Sequence, residues 1–173
     1  MNRRTATIDA SPLIALYQLN LLDQVSLLFH RIHVPAAVRR DIRRKHRAQR
    51  GTIGALLEDK RGLYRPCNVR NRVRVALLLP VERPRPRVHE GEAEAVIQAS
   101  EIGATMVICD DPDGRKWAKG HALECHGTLW VLEQLRANGI VERLAPLIER
   151  LRERGHRLPA GETRRMLARF GEG

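Results

Sequence analysis

Several acidic residues of this chain stand where an α/β protein places its reactive groups. Asp9 follows a strand-like segment, and Asp110 and Asp111 follow the apolar run Met106–Ile108. Active sites of open parallel sheets lie beyond the carboxyl ends of the strands. If these two strands are neighbours, we expect the three carboxylates to converge and to raise one another's pKa. A bound Mg²⁺ or Mn²⁺ would relieve that repulsion, because hard cations prefer oxygen ligands.

Helical periodicity adds two further acids to this group. In the helix predicted over Glu90–Ile102, Glu92 shares a face with the apolar residues 95, 96 and 99. Glu94 shares its face with residues 98 and 101, so we expect it to point to solvent. Asp41 lies on the core side of the helix predicted to begin at Pro35, in a run otherwise rich in arginine.

Each acid also has a purely structural interpretation. Asp9 could cap the turn that follows it, and Asp110 and Asp111 could form a turn before Pro112. Asp41 could pair with neighbouring arginines on the surface. The joint placement of these acids at strand ends and inward helix edges is what favours a metal site.

Strand and helix signals alternate along the chain, which predicts an α/β fold with a parallel sheet of four or five strands between helices. The predicted strands are Thr5–Asp9, Arg31–Val34, residues 73–79, Thr105–Cys109 and Ala122–Cys125. The predicted helices begin at Ser11, Pro35, Thr52, Glu90, Asp113, Gly127, Glu142 and Gly161. Gly103 is expected to end the Glu90 helix in the left-handed conformation. We divide the chain into residues 1–140 as the main unit and 141–173 as a C-terminal helical extension of the same domain.

Composition narrows the class of protein. The net charge is +11 and arginine outnumbers lysine 27 to 4, which suits a polyanionic partner but also a GC-rich genome. No apolar run approaches the length of a membrane span, and no secretory signal is evident, so a cytoplasmic location without membrane association is expected. The three cysteines form no CxxC pair, and the chain has no GxSxG, P-loop, GxGxxG or HExxH motif.

Five short segments, taken in order, resemble the PIN-domain family. They are Ile8–Ile14, Val34–Ile42, Gly91–Ala95, Asp110–Lys116 and Gly127–Leu129. The last two resemble a prokaryotic PIN-like subgroup related to VapC-type toxins of toxin–antitoxin modules. The resemblance covers about residues 5–138, and the terminal helices also fit the subgroup.

This resemblance implies a three-layer PIN-like fold and a metal-dependent endoribonuclease, the toxin of a type II toxin–antitoxin module. The acids implied to be catalytic are Asp9, Asp41, Glu92, Asp110 and Asp111. All but Asp41 are implied as ligands of Mg²⁺ or Mn²⁺, with the choice between Asp110 and Asp111 left open. Glutamate is usual in the family at the place of Asp41, which is one methylene shorter.

RNA is the expected substrate and an antitoxin protein the expected partner, while homodimer formation is left open. The expected substrate-binding residues are Ser11, Arg115, Lys116, Arg43, Arg44 and Arg47. One alternative is a PIN-like protein that binds RNA or a partner without cutting. Another is a nuclease directed at DNA.

Overall fold

The computed structural model describes residues 4–45, 53–55, 62–79 and 90–173. In this part of the chain, five strands form one sheet in the order β3-β2-β1-β4-β5, and every pairing is parallel. The strands are β1 (Arg4–Ile8), β2 (Phe29–Val34), β3 (Tyr64–Pro66), β4 (Met106–Ile108) and β5 (Glu124–His126). The predicted α/β class with a parallel sheet is confirmed.

Helices connect the strands and cover the sheet. They are α1 (Ala10–Gln18), α2 (Ala36–Lys45), α3 (Arg72–Leu78), α4 (Glu90–Ile102), α5 (Pro112–Gly120), α6 (Thr128–Ala137), α7 (Ala145–Glu153) and α8 (Ala160–Arg169), with a 3₁₀ helix over Gln24–Leu27. Residues 53–55 are also helical, and the rest of the helix predicted over 52–60 lies outside the described residues. In this part of the chain, no helix is both long and apolar enough to cross a membrane.

The strands send alternate residues to two cores. Ala6, Ile8 and Ile108 belong to the larger core on the side of α1 and α6. Val107 faces the other side, where it packs with residues of α4 and α5. This alternation follows from the two-residue period of a strand, and it places one helical layer on each face of the sheet.

The C-terminal helices contribute to the larger core although they add no strand. Leu144, Ile148 and Leu151 lie in it together with Met166 of α8. Glu172 accepts hydrogen bonds from the backbone N–H groups of Leu144 and Ala145 at the start of α7, at 2.8–3.0 Å. The 141–173 segment is therefore part of the larger hydrophobic core rather than a separate appendage.

Residues 73–79 were predicted as a strand, but residues 73–78 lie in helix α3 and Leu79 follows its end. The Asn71 side chain accepts a hydrogen bond from Arg74 N at 3.0 Å and begins the helix. Only Val75 of this helix is buried, while Val73 and Leu77 are 70% and 79% exposed. The alternation of apolar residues wrongly predicted a strand, because Val73 and Leu77 are exposed and belong to no hydrophobic core of the described residues. The strand beside β2 is the three-residue β3, which carries too short a pattern to be noticed.

Boundaries elsewhere shift by one to three residues. Helix α1 begins at Ala10 with Asp9 at its N-cap position, so Ser11, where the helix was predicted to begin, lies inside the first turn. Gly103 follows α4 with φ of +67°, as predicted.

Glu94 is wholly buried, contrary to the expectation that it points to solvent. Its Oε2 accepts a hydrogen bond from Ala37 N at 2.7 Å, at the start of α2. Its Oε1 is paired with the guanidinium of Arg72 on α3. Helix α4 contacts α2, α3 and α5 as well as the sheet, so it has no broad solvent face, and a side chain opposite the sheet is buried against other helices.

Glu94→Gln is therefore expected to destabilise the fold. Loss of the charge weakens two hydrogen bonds that hold α2 and α3 to α4, at a cost of about 1.5–3 kcal/mol. Chemical denaturation of the two proteins measures the difference. Glu142→Gln is the matched control, because Glu142 is exposed. Equal unfolding free energies for Glu94→Gln and Glu142→Gln would contradict this role.

Candidate functional site

Asp9 lies at the carboxyl end of β1, directly beside the end of β4. Ile8 pairs with Ile108, and Asp9 N donates to the Ile108 carbonyl at 2.9 Å. The expectation that these two strands are neighbours is confirmed. Asp9 is only 5% exposed, and burial raises the pKa of its carboxyl to about 6. The charges of Asp110 and Asp41 add to this rise, against backbone hydrogen bonds that lower it.

Glu92 is brought to the same place by the first turn of α4. A Cβ on its neighbour Gly91 would stand 2.8 Å from Asp9 Oδ1, so glycine permits this close approach of helix and carboxylate. Burial raises the pKa of the Glu92 carboxyl to about 8, with further contributions from the charges of Asp9, Asp111 and Asp41. Its Oε2 is buried and has no hydrogen-bond partner among the described residues.

Asp110 and Asp111 follow β4 and have different partners. Asp110 accepts hydrogen bonds from Thr128 N and Thr128 Oγ1, both at 2.7 Å, and from Ser11 Oγ at 3.3 Å. Asp111 caps α5 by accepting from Asp113 N at 2.7 Å. Both also act electrostatically on the other acids: the charge of Asp110 raises the pKa of Asp9, and the charge of Asp111 raises the pKa of Glu92. The role of Asp111 as a cap therefore coexists with its place in the acidic cluster.

Asp41 joins the cluster from α2, since its charge raises the pKa of both Asp9 and Glu92. It is also in an ion pair with Arg44 at 3.2 Å. Asp41 thus pairs with an arginine, as the structural interpretation expected, and also acts on the other acids, as the functional interpretation expected.

Three of the acids, Asp9, Asp41 and Glu92, line a cavity of about 290 Å³, here called the acid cleft, while Asp110 and Asp111 lie outside its wall. Its wall is formed by Asp9, Ser11, Asp41 and Glu92, by apolar residues of α1, and by Arg154 and His156 after α7. His156 Nε2 is 2.8 Å from Gln18 Oε1, which fixes this C-terminal segment beside α1. Sequence reasoning missed Arg154 and His156, because no local motif links them to acids more than 60 residues away in the chain.

The residues expected to bind substrate lie in different surroundings. Ser11 lines the acid cleft and donates to Asp110. Arg115 and Lys116 are exposed on α5. Arg43 is exposed, Arg44 is paired with Asp41, and Arg47 lies outside the described residues. Two other arginines of α2 contact residues of this chain: Arg39 donates a hydrogen bond to Asn68 at 2.8 Å, and Arg40 forms an ion pair with Glu90 at 2.9 Å.

The acid cleft has the donor chemistry of a site for a hard divalent cation. Its acidic groups offer oxygen ligands, and the unpartnered Glu92 Oε2 is a buried polar atom that calls for a ligand. As the described side chains stand, no three of the His, Cys, Asp and Glu residues are close enough together to hold a metal ion. Mg²⁺, however, is commonly held by one or two carboxylates with water and substrate phosphates. Asp9 and Glu92 can supply those two.

The raised pKa values predict how the stability of the metal-free protein changes with pH. The folded chain holds protons on Asp9 and Glu92 up to higher pH than the unfolded chain does. Their contribution to the free energy of unfolding is thus greatest below about pH 4 and is lost as the pH rises through 6 and then 8. In EDTA, Asp9→Asn and Glu92→Gln should gain thermal midpoint over the wild type as the pH rises from about 5 to about 8.5.

Burial lowers the pKa of His33, but all three proteins contain this residue, so its effect cancels in the comparison. A difference in midpoint that stays constant over the whole range would show that the two carboxyls titrate normally.

Comparison with known families agrees with this architecture. A family model described as a PIN domain matches residues 5–172, and no curated protein sequence matches the chain. PIN domains are typically metal-dependent nucleases, and the five-stranded parallel sheet between helical layers is consistent with their fold. Because the match extends over nearly the whole sequence, this chain belongs to the PIN-domain family.

Proposed function

We propose that this chain is an Mg²⁺- or Mn²⁺-dependent endoribonuclease acting as the toxin of a type II toxin–antitoxin module. The observation that carries the proposal is the pair formed by the buried Asp9 and the partly buried Glu92, whose carboxyls line one cleft with raised pKa values. Placing two mutually repelling acids in one cleft costs stability, and among the described residues neither acid has a compensating ion pair. Such a cost is expected where the acids serve a bound cation and its substrate.

Asp9 and Glu92 would hold the cation, and Asp111 would be the third acid. A divalent cation in this place supplies Lewis-acid assistance to phosphodiester hydrolysis. Asp41 would add negative charge at the edge of the cleft. Arg154, which also lines the acid cleft, would offer a cation to a phosphate oxygen of the substrate.

Asp110 would be a positioning residue in this scheme. Both of its carboxylate oxygens accept hydrogen bonds, two from Thr128 and one from Ser11, so it fixes α1 and α6 at the rim of the acid cleft. Asp111 uses Oδ1 to cap α5, and its other oxygen has no recorded partner among the described residues. This difference favours Asp111 as the ligand.

Charge supports RNA as the substrate. The chain carries a net charge of +11, and a polyanion is the ordinary partner of so basic a protein. Arg43, Arg115 and Lys116 are exposed and would contact phosphates outside the acid cleft. An antitoxin would inhibit the enzyme by covering the same positive surface with acidic side chains.

The direct test is cleavage of single-stranded RNA with Mg²⁺, with Mn²⁺ and with EDTA. We expect metal-dependent endonucleolytic products, and we expect Asp9→Asn and Glu92→Gln each to lower the rate by at least about a hundredfold. Glu142→Gln, a matched change of an exposed glutamate, should cleave at the wild-type rate. Cleavage of DNA alone, or binding of RNA without cleavage, would refute the proposal.

Asp110 and Asp111 can be distinguished by pairing activity with stability. Asp111→Asn keeps an oxygen that can cap α5, so it should lower kcat by at least about a hundredfold without lowering the thermal midpoint. Asp110→Asn weakens charge-assisted hydrogen bonds to Thr128 and Ser11, so it should lower the midpoint and reduce activity by about 10–100-fold. The opposite pattern would make Asp110 the ligand.

A further inference from the structure

A second cavity, here called the aromatic cleft, lies beside the acid cleft. Its volume is about 350 Å³, and it lies between the start of α6 and helix α8 with the turn before it. Asp110 is part of its wall, and Ser11 of the acid cleft donates a hydrogen bond to that same carboxylate. The two cavities are therefore separated by a single hydrogen-bonded pair of side chains. A ligand in the aromatic cleft would lie next to a ligand in the acid cleft.

Two stacked rings form the floor of the aromatic cleft. His126, at the end of β5, stacks on Trp130 of α6 with ring centroids 4.3 Å apart and an interplanar angle of 18°. Trp130 in turn packs edge-on against the buried Phe29, at 6.4 Å. The side chain of His126 is 30% exposed. The core thus holds Trp130 in place, and both rings of the stacked pair are partly exposed and line the cleft.

Arginine side chains surround these rings. Arg115, Arg157, Arg165 and Arg169 line the aromatic cleft, with the acids Asp110, Glu133 and Glu162. Arg169 forms an ion pair with Glu133 at 2.6 Å, and Asp110 accepts hydrogen bonds from Thr128. In the part of the chain that the structure describes, Arg115, Arg157 and Arg165 are in no ion pair.

Gly127 keeps the junction of the two cavities open. A Cβ at this position would stand 2.5 Å from Asp110 Oδ1 and 3.1 Å from Arg115 Nη2. The guanidinium of Arg115 can therefore lie close to Asp110, at the side of the aromatic cleft that faces the acids.

From these features we infer that the aromatic cleft binds one unpaired nucleotide of single-stranded RNA, next to the phosphate that is cut. Its base would stack on the His126–Trp130 pair, and its phosphates would meet Arg115 and Arg165. The excess of positive charge in the cleft is small, four arginines against three acids, so stacking must supply much of the affinity. A duplex cannot use such a surface, because its base faces are covered by neighbouring base pairs.

This inference rests on the proposed ribonuclease function, but it predicts a binding property that does not require cleavage. The probe is a labelled single-stranded RNA of about eight nucleotides, compared with the same sugar–phosphate chain without bases. Affinity is measured in EDTA with the full chain by fluorescence anisotropy. We expect the wild type to bind the base-bearing RNA more tightly than the abasic chain.

Four variants assign the contacts. His126→Ala and Trp130→Leu should weaken binding of the base-bearing RNA by at least about fivefold, the lower end of the loss for one base–aromatic stack, and should leave binding of the abasic chain unchanged. Arg165→Ala should weaken both. Arg164→Ala is the matched control on the same helix, because Arg164 is exposed and does not line the cleft, and it should resemble the wild type. Should Trp130→Leu unfold, His126→Ala decides the outcome alone.

Equal affinity of the wild type for the two probes would overturn the inference and would favour a protein side chain as the occupant of the aromatic cleft. Full retention of base-bearing RNA binding in His126→Ala would also overturn it. A wild type that prefers the base-bearing RNA but cuts nothing with Mg²⁺ or Mn²⁺ would refute the ribonuclease proposal and leave the nucleotide site standing.

Discussion

The carboxyls of Asp9 and Glu92 lie in surroundings that penalise their ionisation, and each makes ionisation of the other less favourable. Among the described residues, no arginine is in an ion pair with either of them, although the chain has 27 arginines. Two arginines of α2 instead pair with other acids nearby, Arg40 with Glu90 and Arg44 with Asp41. These ion pairs leave the negative charges of Asp9 and Glu92 without a compensating side chain among the described residues. A bound cation can compensate them.

The fold fixes this arrangement through parallel pairing and close helix approach. Because β1 and β4 are neighbouring parallel strands, their carboxyl ends lie side by side, which brings Asp9 close to the segment that begins with Asp110. Gly91 lets α4 approach Asp9, and Gly127 lets α6 approach Asp110. Glu94, two residues after Glu92, ties the same helix to α2 and α3. One glutamate of this short segment thus stabilises the fold, while the other reduces its stability and faces the cleft.

The sequence carried enough information for the part of the site that is local. The apolar run of β4, the acids that follow it and the Gly103 signal after α4 are each readable within a few residues. The burial of Glu94 could not be predicted in this way. A helical wheel assumes that one side of the helix faces solvent, whereas eight residues of α4 are buried between the sheet and three other helices. The helix over residues 72–78 was misread for the opposite reason, since its apolar side chains are mostly exposed.

Contacts between distant segments were also beyond sequence reasoning. Thr128 holds Asp110 from 18 residues away, and His156 reaches Gln18 across 138. The stacking of His126 on Trp130 has helical-like spacing in the sequence, but the two residues lie on different elements, so no periodicity predicts it. Such pairs follow from the way α6, α7 and α8 pack on the sheet, and they become visible only when that packing is known.

Calorimetric titration with Mn²⁺ measures whether Asp9 and Glu92 together bind a divalent cation. We expect saturable binding of Mn²⁺ to the wild-type chain near neutral pH, loss of that binding in Glu92→Gln, and its retention in Glu142→Gln. Absence of binding to the wild type, or equal binding by the wild type and Glu92→Gln, would contradict it.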